Sequence, residues 1–438
     1  MTVSSFAGPY EAVEALLNDL SSPVINPGLE RVSRLLDLLD HPEGRFSSIH
    51  VVGTNGKGST SAMMTSALRE AGYRTALYSS PHLVSFGERL LVDGAPLPPN
   101  CWMQALKRVE ERLQRDHVLS LDRPTYFEVL TTAAILLIAE SEVDVAVVEA
   151  GMGGRLDATN VLSNVIVSVV SPIAMDHCEF LGDSLEAVAG EKFAVVRDKT
   201  AAVYAGDGGG PLSRLFVDVC RARGAQGIVV DQDVSVENLT VGLSGTSCVL
   251  RRGDRDTPVS LGLIGAHQGR NAALAYEACL TLKDRFPLLE EEAILHGFKA
   301  TQWPGRLQVV SQRPPILVDG AHNPHGMEAL AENLPRLFGR ERLVVVYASM
   351  ADKDYRKTLE ILSRSIACRL ICTQVPGNDR CASAEVLYWI AASLPWTGPP
   401  IAVSHPDCAL ELALRRGDVV LCCGSLYLVG WILAHMQE

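Results

Sequence analysis

The chain has 438 residues and 11 cysteines, yet no C-x-x-C pair. Nothing in that spacing supports a zinc site. The scattered thiols, including adjacent Cys422 and Cys423, read as reduced and mostly buried in a cytoplasm. No run reaches about 18 apolar residues, so no transmembrane helix is expected. The opening MTVSSFAGPYEAVEALL has neither a basic region nor a long apolar core, so a secretory leader is not expected. Positive charge is scarce: 39 Lys+Arg face 51 Asp+Glu, a formal net charge of −12. That argues against nucleic acid or an anionic membrane as the main partner. An anionic substrate then needs local Lys, Arg, metal or helix N-termini. Internal repeats and low-complexity tracts are also missing. With 47% apolar and 21% charged residues, large cores are expected and global disorder is not. The length predicts two or three domains.

What is present is a regular alternation. Residues 11–20 and 29–40 (LERVSRLLDLLD) space their apolar positions as helices do. SSIHVV reads as a buried strand, 58–71 as a helix, and YRTALYSS as a second strand with Ser79 and Ser80 at its end. LPPN at 97–100 predicts a turn into a helix over 101–115, and TYFEVLTTAAILLIAE predicts an apolar helix. VDVAVVEAG and NVIVSVVSP are strands apolar on both faces, the first stopping at an acid and a glycine. Such strands between helices predict a mostly parallel sheet covered on both sides. The region 200–260, with AGDGGGP, reads as irregular with short β-like runs, and NAALAYEACLTLKD reads as a helix. A boundary is placed near KATQWPGRLQ. Beyond it PILVDGAHN, RLVVVYASM, CRLICTQVP and DVVLCCGS restart the strand–helix pattern. The expected organisation is one domain over 1–299 and a second, smaller α/β domain over 300–438.

Chemistry concentrates at strand ends. HVVGTNGKGSTSAMM (50–64) holds one Lys among glycines behind a strand. The strict pattern G-x-x-x-x-G-K-[ST] fails, because Val51 stands where its first Gly belongs and Gly58 separates Lys57 from Ser59. The physics of an anion cradle survives: glycines turn backbone N–H groups toward an anion, and a helix N-terminus follows. A tight turn with a surface lysine is the plain alternative. Glu149 ends a buried strand, where a carboxylate faces a nucleotide across the sheet's carboxyl edge. His177, in SPIAMDHCEFLG, follows the strand over 165–170. An oxygen-rich site of this kind suits Mg2+. A histidine ligand to Mg2+ is unusual, so a capping or core role stands beside it. GMGGRLDATN (151–160) packs Gly, Arg and Asp into a loop at the same edge. Asp319 and the AHN at 321–323 repeat the logic in the second domain. Arg306 sits in the expected hinge, where closure brings it to a phosphate.

Together these stretches resemble the folylpolyglutamate synthase/dihydrofolate synthase family of Mur-type ATP-dependent amide ligases. GLERV, HVVGTNGKGST, YSSPHLVSFGERL, TYFEVLTTAA, EAGMGGRLDATN, MDHCEFLG, GEK, HQGRNAALA, WPGRLQ, DGAHNP, ADKD and GSLYLVG carry the resemblance. They run in family order over nearly the whole chain. GTNGKGS marks only the wider Mur-like group. SPHL, GRLDATN and WPGRLQ with DGAHNP narrow it to the folate branch.

The resemblance implies an α/β fold: an N-terminal P-loop-type ATPase domain with a mostly parallel sheet, and a smaller C-terminal Rossmann-like domain. It implies that a substrate carboxylate attacks the ATP γ-phosphate, and that glutamate's amine then attacks the acyl phosphate. It places Asn55, Gly56, Lys57, Gly58 and Ser59 around the ATP phosphates, with Asn271, Arg306 and Asp319 also on ATP. Ser80, Glu149 and His177 are implied to hold Mg2+. Ile25, Asn26 and Pro27, with Thr125, Tyr126, Phe127 and Glu128, and Leu156, Asp157 and Ala158, are implied to line the pteroate pocket. Lys57, Lys192, His322 and Asp319 are implied as catalytic, and Lys192 matches a lysine carried as a carbamate; an ordinary lysine paired with Glu191 or with a substrate carboxylate is the alternative. The family often has Asn where Gly87 stands and Ala where Phe193 stands, and Pro172 lies near a strand end. The implied partners are ATP, L-glutamate and dihydropteroate or folates, for a cytoplasmic monomer. A monofunctional folylpolyglutamate synthase, another Mur-type ligase and a nucleotide-binding scaffold remain as alternatives.

Overall fold

Valine-rich runs with no polar face make poor surface strands, and each of them is buried on both sides. The computed structural model describes residues 8–339 and 342–436. The first seven residues, part of the stretch read for a leader, lie outside these. The chain forms two compact units. The first comprises Met1–Ser235, Arg252–Arg255 and Asn271–Phe298; the second comprises Val236–Arg251, Asp256–Arg270 and Lys299–Glu438.

In the first unit, strands β1 (Ser47–Val52), β2 (Thr75–Tyr78), β3 (Leu90–Val92), β4 (Ala95–Pro96), β5 (Val145–Glu149), β6 (Val165–Val170), β7 (Ala201–Tyr204) and β8 (Gln226–Val229) form one sheet. Its order is β4-β3-β2-β5-β1-β6-β7-β8. From β2 to β8 all neighbours are parallel, and β3 and β4 add an antiparallel edge. Every residue of β1 and β5 is buried. The helix Tyr126–Glu140 packs beneath with Leu35, Leu36 and Trp102, and Phe193, Tyr204 and Phe216 form a separate cluster with Val170. Fully burying each such apolar side chain stabilises the fold by about 1.5–3 kcal/mol. The chain leaves β1 toward β2 on one side and later returns to β6 on the other. The carboxyl end of β1 is therefore a topological switch point, where open α/β sheets bind ligands.

A three-stranded sheet of β9 (Ser235–Gly242), β10 (Gly245–Arg252) and β11 (Arg255–Leu261) belongs mostly to the second unit. The second unit also holds β12 (Gln308–Gln312), β13 (Pro315–Asp319), β14 (Leu343–Tyr347), β15 (Cys368–Cys372), β16 (Ile401–Ala402) and β17 (Val419–Cys423), ordered β12-β13-β17-β14-β15-β16. Only β12 runs antiparallel in that sheet. The α/β architecture with two mostly parallel sheets matches the sequence reading.

Three elements depart from it, one being the edge strand β12, which the sequence reading does not include. The stretch read as irregular contains a helix, Pro211–Arg223, started by proline at its first position and stopped by Gly224 at φ 59°. Its start is hidden behind three consecutive glycines. The helix Ala266–Thr281 begins ahead of the predicted Asn271.

Candidate active site

The loop after β1 turns on two glycines with positive φ, Gly53 (144°) and Gly56 (88°), and helix Lys57–Glu70 starts directly behind. A side chain fits at neither. A Cβ on Gly53 would lie 1.9 Å from Ser171 Oγ, and one on Gly56 would lie 2.4 Å from Asn271 Oδ1. Asn271, far away in sequence, thus packs onto the loop. Lys57 Nζ donates to the carbonyls of Gly53 and Thr54, both at 3.2 Å. Lys192 Nζ donates to the same Gly53 carbonyl at 2.8 Å. The segment after β6 laces the loop down: Thr54 N donates to Pro172 O at 3.0 Å, and Thr54 Oγ1 to Ala174 O at 2.9 Å. Pro172, which lacks an N–H, serves here through its carbonyl.

Lys192 is 3% exposed. Burial, reinforced by the neighbouring Lys57 charge, brings its amine from 10.5 down to about 7. Phe193, the departure beside it, points into the core against Tyr204 and Phe216 with ring centroids 5.2 Å away. Gly87, the other departure, is required by Tyr10: an added Cβ would lie 2.5 Å from its hydroxyl.

Ser80, Glu149 and His177 all lie at the carboxyl edge of the same sheet. Ser80 follows β2, Glu149 ends β5 in register with Val51 of β1, and His177 follows β6. Glu149 is buried. His177 adopts a left-handed conformation at φ 52°, at the start of the short helix Cys178–Leu181. Among the described residues, no three His, Cys, Asp or Glu side chains form a complete cation cage. A hydroxyl and a carboxylate are oxygen donors that suit Mg2+, which keeps several waters and takes the rest of its shell from phosphates, and the imidazole is the less usual donor of the three.

The GMGGRLDATN loop is held from within. Buried Asp157 accepts from Met152 N at 2.7 Å, Thr159 N at 2.9 Å and Thr159 Oγ1 at 2.5 Å. Burial pushes its carboxyl above the usual range. Thr159 Oγ1 is also 2.8 Å from Nε2 of His50, a fully buried histidine in β1. Because the threonine hydroxyl donates to Asp157, His50 Nε2 is the donor to Thr159. Burial lowers His50 to about 3, so it stays neutral. Within this loop Arg155 pairs with Glu191 at 2.8 Å, so Glu191 is committed to Arg155 and Lys192 to Gly53.

Ile25 is exposed, whereas Glu128 is buried and caps the helix Tyr126–Glu140 reciprocally with Thr125. Two residues inside a quoted motif, His82 and Arg89, were given no role from sequence. Arg89 is 9% exposed, donates to His82 Nδ1 at 2.9 Å, and holds its guanidinium 5.8 Å from the Phe86 ring centroid and 5.9 Å from that of Tyr126. Burial, with Arg89 alongside, lowers His82 to about 4.

In the second unit, Asp319 ends β13. Its carboxylate accepts from Leu307 N and Ala321 N, both at 2.8 Å. Burial pushes it up and the Arg306 charge opposes that. Gly320 leaves room for Arg306: a Cβ there would be 2.6 Å from its Nη1. His322 Nδ1 sits 2.8 Å from Gly320 O. Half-buried His267 is lowered to about 4 by desolvation and by Arg306, Arg270 and His325. Arg306, Asp319 and His322 are therefore neighbours, as are Lys57, Lys192 and Asn271 in the first unit.

A glycine-rich loop at a switch point, with a buried carboxylate on the neighbouring strand and a second α/β unit, is the arrangement that two Mur ligase domain models match in this chain. Residues 51–279 match the Mur ligase middle domain, and residues 305–426 match the Mur ligase glutamate ligase domain. The chain is 33% identical over 422 residues to the dihydrofolate synthase/folylpolyglutamate synthase of Bacillus subtilis, covering 94% of this chain and 96% of the relative. It is 35% identical to that of Mycobacterium tuberculosis, over 93% and 89%. The fold is similar to Mycobacterium tuberculosis folylpolyglutamate synthase complexed with ADP, with a TM-score of 0.89, 30% identity and 98% of both chains covered. It is also similar to Escherichia coli FolC in complex with DHPP and ADP, with a TM-score of 0.84, 30% identity and 99% of both chains covered. The chain belongs to the dihydrofolate synthase/folylpolyglutamate synthase family.

Proposed function

We propose that this chain joins L-glutamate to dihydropteroate and to reduced folates, using ATP and releasing ADP and phosphate. The observation that carries this reading is the convergence of Lys57 and Lys192 on one loop carbonyl at a helix N-terminus. Lys57 supplies positive charge at this point, and Lys192 adds to it until its amine is carbamylated. The Asp157 loop nearby supplies a preorganised acceptor subsite.

A carboxylate is a poor electrophile, so the acceptor's carboxylate oxygen attacks the γ-phosphorus and the bond to the ADP oxygen breaks. The amine of glutamate then attacks the acyl carbon, the carbon–oxygen bond to phosphate breaks, and the amine proton is lost to give the amide. The protein positions the groups and neutralises charge. Gly56, Lys57, Gly58 and Ser59 cradle the phosphates, with Asn55, Asn271, Arg306 and Asp319 also on ATP, and His322 near the glutamate end. Ser80, Glu149 and His177 hold Mg2+, which when bound offsets phosphate charge. The acceptor lies against Ile25–Pro27, Thr125–Phe127 and Leu156–Ala158, with Glu128 in the frame behind them. At a pKa of about 7, about half of the Lys192 amines are uncharged at neutral pH, the form that adds CO2 and loses a proton to become a carbamate. Residues 1–299 are assigned to ATP and acceptor binding and 300–438 to the glutamate-ligase domain, in a cytoplasmic monomer. Among the described residues, no helix is long and apolar enough to cross a membrane.

The test is ADP release with ATP, Mg2+ and glutamate, in parallel with dihydropteroate and with tetrahydrofolate. Turnover of both acceptors is expected. Turnover of tetrahydrofolate alone makes the enzyme monofunctional, and stimulation by neither refutes the reading.

A further inference from the structure

Resting on that functional reading, we propose that Arg31 is a positioning residue for the acceptor: it ties the segment around Asn26 to the start of the helix Tyr126–Glu140. Arg31 lies on the helix Glu30–Leu38 and is 7% exposed. Its Nε donates to Glu128 Oε2 at 3.0 Å and its Nη2 to Glu128 Oε1 at 2.9 Å, a two-pronged grip on a carboxylate that is itself buried. The same Nη2 also donates to the backbone carbonyl of Asn26, and Nη1 reaches Asp122 Oδ2 at 3.2 Å. All three guanidinium nitrogens are therefore in use. Glu128 is equally committed, because its Oε2 also accepts from Thr125 N at 2.6 Å. A carboxylate so occupied has little capacity left for a ligand. Glu128 belongs to the frame of the pocket rather than to its contact surface.

The tie matters because of what it holds. Val24 and Ile25 are 63% and 62% exposed, two adjacent apolar side chains in the open. The segment carrying them is fastened at Ser22, whose N–H donates to Pro124 O at 2.7 Å, and at Asn26 through Arg31. Between these two ties stand only the exposed apolar residues and Pro23. A pair of apolar side chains held at both ends by polar ties suits the face of a flat, largely apolar ring system. Lysine cannot reproduce the clamp: a single ammonium has no planar fork with which to serve a carboxylate and a carbonyl together.

The experiment compares Arg31→Lys with Arg34→Ala in steady-state kinetics and hydrogen exchange. Arg34 is on the same helix and pairs with Asp116 at 2.8 Å, away from the segment, so it controls for general loosening. Arg31→Lys keeps a cation beside Glu128, which protects the fold. It is expected to raise KM for dihydropteroate by about tenfold, the scale of one hydrogen bond to a charged group, with KM for ATP within about twofold of wild type. Amides of Val24, Ile25 and Asn26 are expected to exchange faster in Arg31→Lys and not in Arg34→Ala. An unchanged acceptor KM, or an equal rise in Arg34→Ala, overturns the proposal. If wild-type enzyme turns over no pteroate or folate, the functional reading fails instead. The clamp is then judged by exchange alone, and unaltered exchange at those amides overturns it.

Discussion

Replacing Lys192 by methionine tests whether a buried amine beside the phosphate loop is held near neutrality. In the folded protein the amine titrates at about 7, against 10.5 for an ordinary lysine, because burial and then Lys57 oppose its charge. Between those values the unfolded chain keeps a proton that the folded chain has released. Stability therefore rises with pH across that window and is lowest below pH 7, where both states carry the proton. At about 1.36 kcal/mol per pH unit, the penalty is roughly 5 kcal/mol at pH 6 and falls to roughly 2 kcal/mol at pH 9. Methionine removes the charge and also the hydrogen bond to Gly53 O, a loss of about 1 kcal/mol that does not depend on pH. The stability of wild type relative to Lys192→Met should accordingly improve by roughly 3 kcal/mol from pH 6 to pH 9. In a unit of this size that is roughly 6–12 °C in the unfolding midpoint. Differential scanning calorimetry in degassed, carbonate-free buffers at pH 6, 7, 8 and 9 measures it. Parallel midpoints for the two proteins across that range refute the reasoning.

Lys57→Ala should abolish ADP release while leaving the circular dichroism spectrum and melting midpoint near wild type, since the hydrogen bonds Lys57 makes among the described residues run to loop carbonyls; wild-type-like rates refute the cradle. Arg306→Ala should lower kcat with little change in nucleotide Kd, read by single-turnover kinetics and calorimetric titration, and an unchanged rate counts against its role. Asp157→Asn places an amide NH2 among donors that Asp157 now accepts, at a cost of about 1–3 kcal/mol. Its acceptor KM should rise while KM for ATP holds, and equal rises in both argue for simple unfolding of the loop.

The sheets were legible because valine runs without a polar face admit one placement only, and the phosphate loop because glycine, lysine and a following helix declare themselves locally. β12, reading QVVSQ at a sheet edge, has no such run and was not anticipated. The helix Pro211–Arg223 was masked by a glycine cluster that looks like loop. Site residues divide the same way. Lys57 and Glu149 were visible from their own neighbourhoods. Arg31 sat within a quoted motif, but its role depends on Glu128, 97 residues away. His50 is a polar residue inside an apolar strand, a local oddity whose partner Thr159 is 109 residues distant. Glu128 is the converse case: its place in a motif implied the pteroate pocket, and what the structure adds is the Arg31 and Thr125 partners of its carboxylate.

The hydrogen bonds from His50 through Thr159 to Asp157 run in one direction only, donor to acceptor at each step. His50 belongs to β1, the strand that delivers Gly53 to the phosphate cradle, and Asp157 belongs to the acceptor loop. In the proposed function, the loop that holds phosphate and the loop that holds acceptor are thus joined by two buried hydrogen bonds in the first unit. Selection for a new acceptor is consequently constrained from behind: variants that reshape the GRLDATN loop must preserve the polarity of this chain, or they will register as losses in ATP handling before any change in acceptor preference is seen.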